Sequence, residues 1–171
     1  MDYKSYRSNI KSGDILAFSH EGWRSWKDFK TQMVRVFTRS TYSHVGIAVE
    51  LSGRLFILEN VVPYARLYPL SMAGSFYHLP MKDIKWTPEF EERAFAHIGA
   101  PYSQLQAMKA FFVNLGKGNY SECAALVWNI MYDANIYLGT RQTPDAIVLQ
   151  SQLLGSPLMY VENKLGVQDL K

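Results

Sequence analysis

Two short runs of alternating and β-branched residues dominate the middle of the chain and predict a β-hairpin. They span residues 44–50 and 54–62, and Ser52-Gly53 between them is typical of a tight turn. If that turn has two residues, Leu51 pairs with Arg54 and Ala48 with Ile57. Pro63 and Pro69 are expected to end this regular stretch.

Further along the chain the hydrophobic period changes from two residues to that of a helix. Helices are expected over residues 23–39, 87–98, 104–115 and 121–135, with another beginning at Thr143-Pro144-Asp145. Short strands are expected at 15–18 and 74–79, and residues 1–11 suggest a polar arm. Without repeats or a linker, the pattern predicts one α+β domain over residues 1–171.

The predicted hairpin carries two ionisable side chains on one face. Side chains alternate along a strand, so His44, Gly46 and Ala48 share a face with Ile57 and Glu59. On this register Glu59 is the diagonal neighbour of His44, whereas Asn60 points away. Gly46 and Ala48 leave room on this face, which favours the approach of another element. A weak surface ion pair is the alternative interpretation.

The segment NYSECAALVWNIMYDANI, which holds the single cysteine Cys123, is the candidate for the element that approaches this face. Asn119 or Ser121 can cap this helix, which places Cys123 in its first turn. Unpaired N–H groups and the helix dipole there stabilise a thiolate. We therefore expect Cys123, His44 and Glu59 to form a nucleophile, base and orienting acid. A lone cysteine that only fills the core is the alternative.

Composition narrows the choice of function. The chain is 48% hydrophobic and has a net charge of +3, which is too weak to suggest nucleic-acid binding. One cysteine excludes a disulfide within the chain and zinc sites that need two or more cysteines. His20, His78 and His97 lack metal-ligand spacing and are expected at the surface or in packing. Neither a metal nor a cofactor is expected.

No signal peptide or membrane-spanning stretch is visible, so a cytoplasmic protein, bacterial or phage-encoded, is expected. Basic residues between Arg24 and Arg39 are interpreted as a solvated helix face. Because aromatic residues alternate with them, peripheral contact with a membrane is a second interpretation.

Several segments together resemble the circularly permuted branch of the NlpC/P60 papain-like superfamily, in particular its YiiX-like and YebB-like members. They are SGDILAF, TQMVRVFTRSTYSHVGIAVE, FILEN, GAPYS, NYSECAALVWNIMYDA and TPDAIVLQS, in the family's order over most of the chain. The lecithin:retinol acyltransferase-like proteins belong to the same branch. The resemblance implies a permuted papain-like fold, with the nucleophile helix packed on an antiparallel sheet. It also implies Cys123, His44 and Glu59 as the triad.

The resemblance departs from the family at the nucleophile. Family members often have Cys-Ser-Glu-Leu-Val, whereas this chain has Cys-Ala-Ala-Leu-Val with Ser-Glu before the cysteine. A carboxylate pointing inward beside the thiol would oppose a thiolate, so Glu122 is expected to point to solvent.

The expected reaction is hydrolysis of an amide bond through a thioester, on a peptide or a cell-wall-like peptide. Tyr102, in the family-like turn, and Tyr42 are the expected substrate-binding residues. Two alternatives remain open: a lipid-directed thiol acyltransferase or hydrolase of the same fold, and a non-catalytic binding module with a vestigial triad.

Overall fold

A computed structural model describes residues 1–19, 41–61, 63–100 and 121–164. The predicted helices over residues 23–39 and 104–115, together with Trp23, His20 and Tyr102, lie outside these ranges.

The described residues form an α+β structure built on a six-stranded antiparallel sheet. The strands are β1 (Ile15–Phe18), β2 (His44–Leu51), β3 (Arg54–Val61), β4 (Tyr64–Pro69), β5 (Phe76–Leu79) and β6 (Met159–Val161). Their order across the sheet is β4-β3-β2-β1-β5-β6. The α-helices are α1 (Tyr3–Tyr6), α2 (Pro88–Phe95), α3 (Glu122–Asp133) and α4 (Pro144–Leu153).

The central hairpin has the predicted register. Leu51 pairs with Arg54 and Ala48 with Ile57, and Ser52 and Gly53 both have positive φ as the tight turn requires. The paired positions end at Ile47 and Leu58. In the part of the chain that the structure describes, β2 and β3 are thus no longer paired where His44 and Glu59 lie.

Helices cover one face of the sheet and the amino-terminal segment covers the other. The helix-side cluster joins sheet residues to α2, α3 and α4: Ile15, Ala17, Val45, Ile47, Val49, Leu58, Leu79, Phe90, Cys123, Leu126, Val127, Ile130 and Ile147. The amino-terminal cluster contains Tyr3, Tyr6, Ile10, Leu16, Phe18, Ala48, Leu55, Ile57, Leu70, Phe76 and Val161. Both faces of the sheet are therefore buried.

This arrangement corrects the expected docking of the cysteine helix. We predicted that α3 would dock on the face of His44 and Gly46, but its body packs on the opposite face, against Val45 and Ile47. There is no space beside Gly46 for another element, because a Cβ added there would lie 2.6 Å from Cδ1 of Ile57. The glycine accommodates the neighbouring strand's own isoleucine.

Three other expectations about the fold were wrong. The polar arm is an ordered segment with Tyr3, Tyr6 and Ile10 buried, because Tyr3 and Ile10 pack in the amino-terminal cluster. A strand, β4, follows Pro63 where regular structure was expected to end, and β6 was not expected. α2 ends at Phe95 instead of residue 98, and Gly99 with positive φ completes the following turn.

Candidate functional site

The amino-terminal end of α3 lies beside the open end of the β2–β3 hairpin. The Nδ2 atom of Asn60 donates to the carbonyl oxygen of Glu122 at 3.4 Å. The backbone N–H of Val45 helps to stabilise a thiolate at Cys123. The first turn of α3 thus lies against both strands just past their last paired residues.

The structure brings His44 and Glu59 together, as the register predicts. Nε2 of His44 lies 2.9 Å from Oε2 of Glu59, and the two side chains are 1% and 0% exposed. His44 also hydrogen-bonds to Cys123. The three side chains thus form one row, with His44 interacting with both of the others.

Two contacts around this row were not expected from the sequence. Arg66 on β4 donates from Nε to Oε1 of Glu59 at 3.0 Å. The ring of Phe18 packs at 5.9 Å, between centroids, from the ring of His44. The row is therefore extended by a cation at one end and shielded by an aromatic ring.

Ser121 occupies the N-cap position of α3, yet its side chain makes no capping bond to the helix backbone. Its Oγ lies 3.5 Å from Sγ of Cys123 instead. Cys123 is the second residue of α3, where backbone N–H groups have no partner within the helix. The first turn of the helix can therefore offer N–H groups to an anion at the sulfur.

The charge states of the cysteine and the histidine are shifted in a complementary way. Burial disfavours the imidazolium, but hydrogen bonds and charges from Cys123 and Glu59 outweigh it and raise the pKa of His44 to about 9. Burial also disfavours the thiolate, but His44, Ser121 and the Val45 N–H together lower the pKa of Cys123. These directions favour a thiolate–imidazolium pair.

Glu122 was expected to point to solvent, and this was wrong. The residue is 7% exposed, and Asn60 holds it through its backbone carbonyl oxygen. Because α3 begins against the sheet and not at the surface, its first residue is buried with it.

Tyr42, one of the two expected substrate-binding residues, lies half-buried before β2. Its backbone N–H and that of Thr41 donate to Oδ1 of Asp145, each at 3.1 Å. Its ring meets the ring of Tyr77 edge to face, with centroids 5.3 Å apart. Tyr42 therefore connects the segment leading to His44 with the first turn of α4, whereas Tyr102 lies outside the described residues.

A second polar cluster contains a histidine that we expected at the surface or in packing. Nε2 of His78 lies 2.8 Å from Oδ2 of Asp14, and its Nδ1 lies 3.0 Å from the Tyr6 hydroxyl. His78 is 0% exposed. It is thus buried in a specific network, while His97 is half-buried near the end of α2.

In the described ranges, no group of three or more His, Cys, Asp and Glu side chains is arranged to hold a metal ion. The helices found there include none with the length and apolar character needed to cross a membrane.

Comparison with known proteins finds similar chains among the solved structures. No protein-family model matches the chain, and no curated protein matches it. A solved structure described as the metalloprotein yiiX from Escherichia coli O157:H7, DUF1105, is 18% identical, with 94% of this chain and 92% of that chain covered. The TM-score is 0.47. The word metalloprotein describes the Escherichia coli protein.

Proposed function

We propose that this protein is a cysteine hydrolase that cleaves an amide bond through a thioester intermediate. The observation that carries the proposal is the buried row of Cys123, His44 and Glu59, in which His44 is hydrogen-bonded to Glu59 and interacts with Cys123. A nucleophile, a base in contact with it and a third group orienting that base are the parts that covalent acyl transfer requires.

The reaction would begin with the Cys123 thiolate attacking the carbonyl carbon of the substrate. The negative charge that develops on the carbonyl oxygen would be met by backbone N–H groups of the first turn of α3. His44 would give its proton to the leaving amine as the C–N bond breaks, which leaves an acyl-thioester on Cys123. His44 would then take a proton from water, whose oxygen displaces the sulfur and releases the acid.

The contacts around Cys123 bear on the unusual Ser-Glu-Cys-Ala-Ala order. Ser121 precedes the cysteine and touches its sulfur, so a serine hydroxyl is still present at the nucleophile. Membership of the permuted NlpC/P60 papain-like branch belongs to this proposal, as do the roles of the three residues.

A peptide, including a cell-wall-like peptide, is the proposed substrate class. Tyr42 lies two residues before His44 and rests against Tyr77, so a substrate reaching Cys123 from this side would pass these rings. Aromatic rings of this kind pack on extended peptide chains or sugars, and this packing does not require one particular side chain in the substrate.

A lipid-directed activity on the same fold is the second candidate, and exposed apolar residues on α4 and at its C-cap favour it. Leu149, Leu153 and Leu154 are 56%, 70% and 51% exposed, and α4 begins at the residues that hold Tyr42. Binding to vesicles of phosphatidylcholine and phosphatidylglycerol, lost in Leu149→Ser/Leu153→Ser, would support it. A wild-type chain that does not bind these vesicles would count against it.

The pH dependence of Cys123 alkylation tests the proposed function. Iodoacetamide is small enough to reach the sulfur of Cys123, a residue that is 5% exposed. Because the chain has one cysteine, mass spectrometry assigns the label without ambiguity. We expect alkylation well below neutral pH in the wild type and a return towards the ordinary thiol range, near ~8.5, in His44→Ala. The wild type should also form an acetyl-thioester from p-nitrophenyl acetate, while Cys123→Ser should not.

Ordinary reactivity in both proteins, in samples shown to be folded by circular dichroism, would contradict the ion pair. It would favour the third possibility, a binding module in which Cys123 only packs.

A further inference from the structure

Arg66 is placed to act on the site through Glu59. It lies directly opposite Glu59 in the β3–β4 pairing, and its Nε donates to Oε1 at 3.0 Å. The other carboxylate oxygen, Oε2, faces Nε2 of His44 at 2.9 Å. Each oxygen of this buried carboxylate thus has a different partner, one on each neighbouring strand.

The arginine is itself held in position. Its guanidinium carbon lies 4.7 Å from the centroid of the Tyr68 ring, two residues further along β4. Its side chain is 33% exposed, whereas Glu59 is 0% exposed. The guanidinium therefore brings a charge from the rim of the sheet to a carboxylate that water does not reach.

The described charged and titratable groups along this row come from three elements besides β3. They are His44 on β2, Arg66 on β4, and Cys123 at the start of α3, where Glu122 precedes it in the chain. When Cys123 is a thiolate and His44 an imidazolium, the charges along the row alternate from negative at the sulfur to positive at Arg66. A buried carboxylate without a fixed cation is costly, and the usual relief is to take up a proton.

We propose that Arg66 is a positioning residue that keeps Glu59 ionised and turned towards His44, so that the proton they share stays on the histidine. The inference rests on the proposed function, because it concerns the same thiolate–imidazolium pair. Without the guanidinium, the proton would move from Nε2 of His44 to Oε2 of Glu59. The histidine would then be neutral, and the thiolate would lose its counter-ion.

The test compares iodoacetamide alkylation of Cys123 across pH in the wild type, Arg66→Gln, Arg66→Met and Arg66→Lys. The glutamine and methionine variants remove the charge while filling similar space, and either one that folds decides the outcome. We expect the thiolate pKa to rise by about one unit or more, which is a tenfold loss of rate on the acid limb. Lysine keeps the charge and should restore most of the wild-type profile.

Arg54→Gln is the matched control, because Arg54 is an exposed arginine on the same hairpin, opposite Leu51 at its turn. Its profile should equal that of the wild type. Circular dichroism and thermal unfolding show which variants are folded.

The outcomes separate this inference from the proposed function. An acid-shifted wild-type profile that a folded Arg66→Gln or Arg66→Met protein retains would overturn the role of Arg66 and leave the proposed function standing. An ordinary wild-type profile, near ~8.5, would overturn both. A shift that Arg66→Lys fails to reduce would show that the charge is not what matters, and would also overturn the inference.

Discussion

The charge of His44 is decided by a competition between its burial and its two partners. A histidine that is 1% exposed would ordinarily be neutral at neutral pH, because the interior solvates an imidazolium poorly. Contacts with Cys123 and Glu59 reverse this and raise the pKa to about 9. The histidine is therefore protonated below about pH 9, where the lowered pKa of Cys123 favours a thiolate. A proton is available for a leaving group without a separate acid.

This charge state sets the expected pH window for acyl transfer. Rate should rise with pH as the thiolate forms, below the ordinary thiol range, and should fall as the imidazolium is lost near pH 9.

Glu59→Gln tests the contribution of the carboxylate charge to that window. The amide keeps the shape and can still accept from Nε2 of His44, but it removes the negative charge that supports the imidazolium. The pKa of His44 should fall and that of Cys123 should rise. The pH range in which the thiolate and the imidazolium coexist therefore narrows from both sides. We expect alkylation on the acid limb to fall by about tenfold or more. The measurement is the full pH profile of alkylation.

Glu50→Gln is the matched control for this substitution, because Glu50 is an exposed glutamate on β2. A Glu59→Gln profile that overlays those of the wild type and the control would remove Glu59 from the proposed triad.

The pairing of His44 with Glu59 could be predicted from the sequence, whereas the contact with Arg66 could not. Ser52-Gly53 fixed the register, and the diagonal placement of the two side chains followed from it. Arg66 lies on β4, between Pro63 and Pro69, where two prolines suggested the end of regular structure. β4 is an edge strand, and Pro69 is its last residue, so the prolines are compatible with pairing there.

At the level of elements, the start of β2 is connected to α4 by a single carboxylate. Asp145 follows Pro144 in the first turn of α4, and its Oδ1 accepts the backbone N–H groups of Thr41 and Tyr42. His44 follows two residues later. The carboxylate thus fixes the segment from which the histidine enters the site.

Asp145→Ala should destabilise the protein and loosen the approach to His44. Losing two hydrogen bonds to a half-buried carboxylate is expected to lower the free energy of unfolding by about 1–2 kcal/mol. The pH profile of Cys123 alkylation should move towards that of an ordinary thiol. Urea unfolding and alkylation measure the two effects. Asp145→Asn is the control, because its amide oxygen can still accept both N–H groups, and equal losses in both variants would contradict this explanation.

The side of the sheet on which α3 packs could not be read from residue size alone. Gly46 and Ala48 suggested an open face, but a neighbouring isoleucine, Ile57, fills the space above Gly46. Both faces of the hairpin are buried, so alternation did not distinguish the helix side from the other. Cys123 still reaches His44 because the strands separate beyond Ile47 and Leu58.

Across the whole molecule, a second buried network lies on the amino-terminal face of the sheet, opposite to α3. The helix-side cluster contains Cys123, whereas Tyr6 packs in the amino-terminal cluster on the other face. There His78 joins Tyr6 to Asp14, and Asp14 also accepts the backbone N–H groups of Lys11 and Met81. This network ties the amino-terminal segment to β1 and β5. We therefore assign it to stability and not to the reaction.

The Tyr6→Phe variant distinguishes a role of this network in stability from a role in the reaction. It keeps the ring, which packs edge to face on His78, and removes only the hydroxyl that lies 3.0 Å from Nδ1. Leaving that buried nitrogen without its partner should cost about 1–2 kcal/mol of unfolding free energy, or roughly 2–8 °C in Tm for a chain of this size. The pH profile of Cys123 alkylation should not change. Tyr64→Phe, at an exposed tyrosine at the start of β4, should alter neither quantity. A Tyr6→Phe protein with wild-type Tm but a shifted alkylation profile would show that the sheet transmits the charge of this network to the site, and the assignment to stability would be wrong.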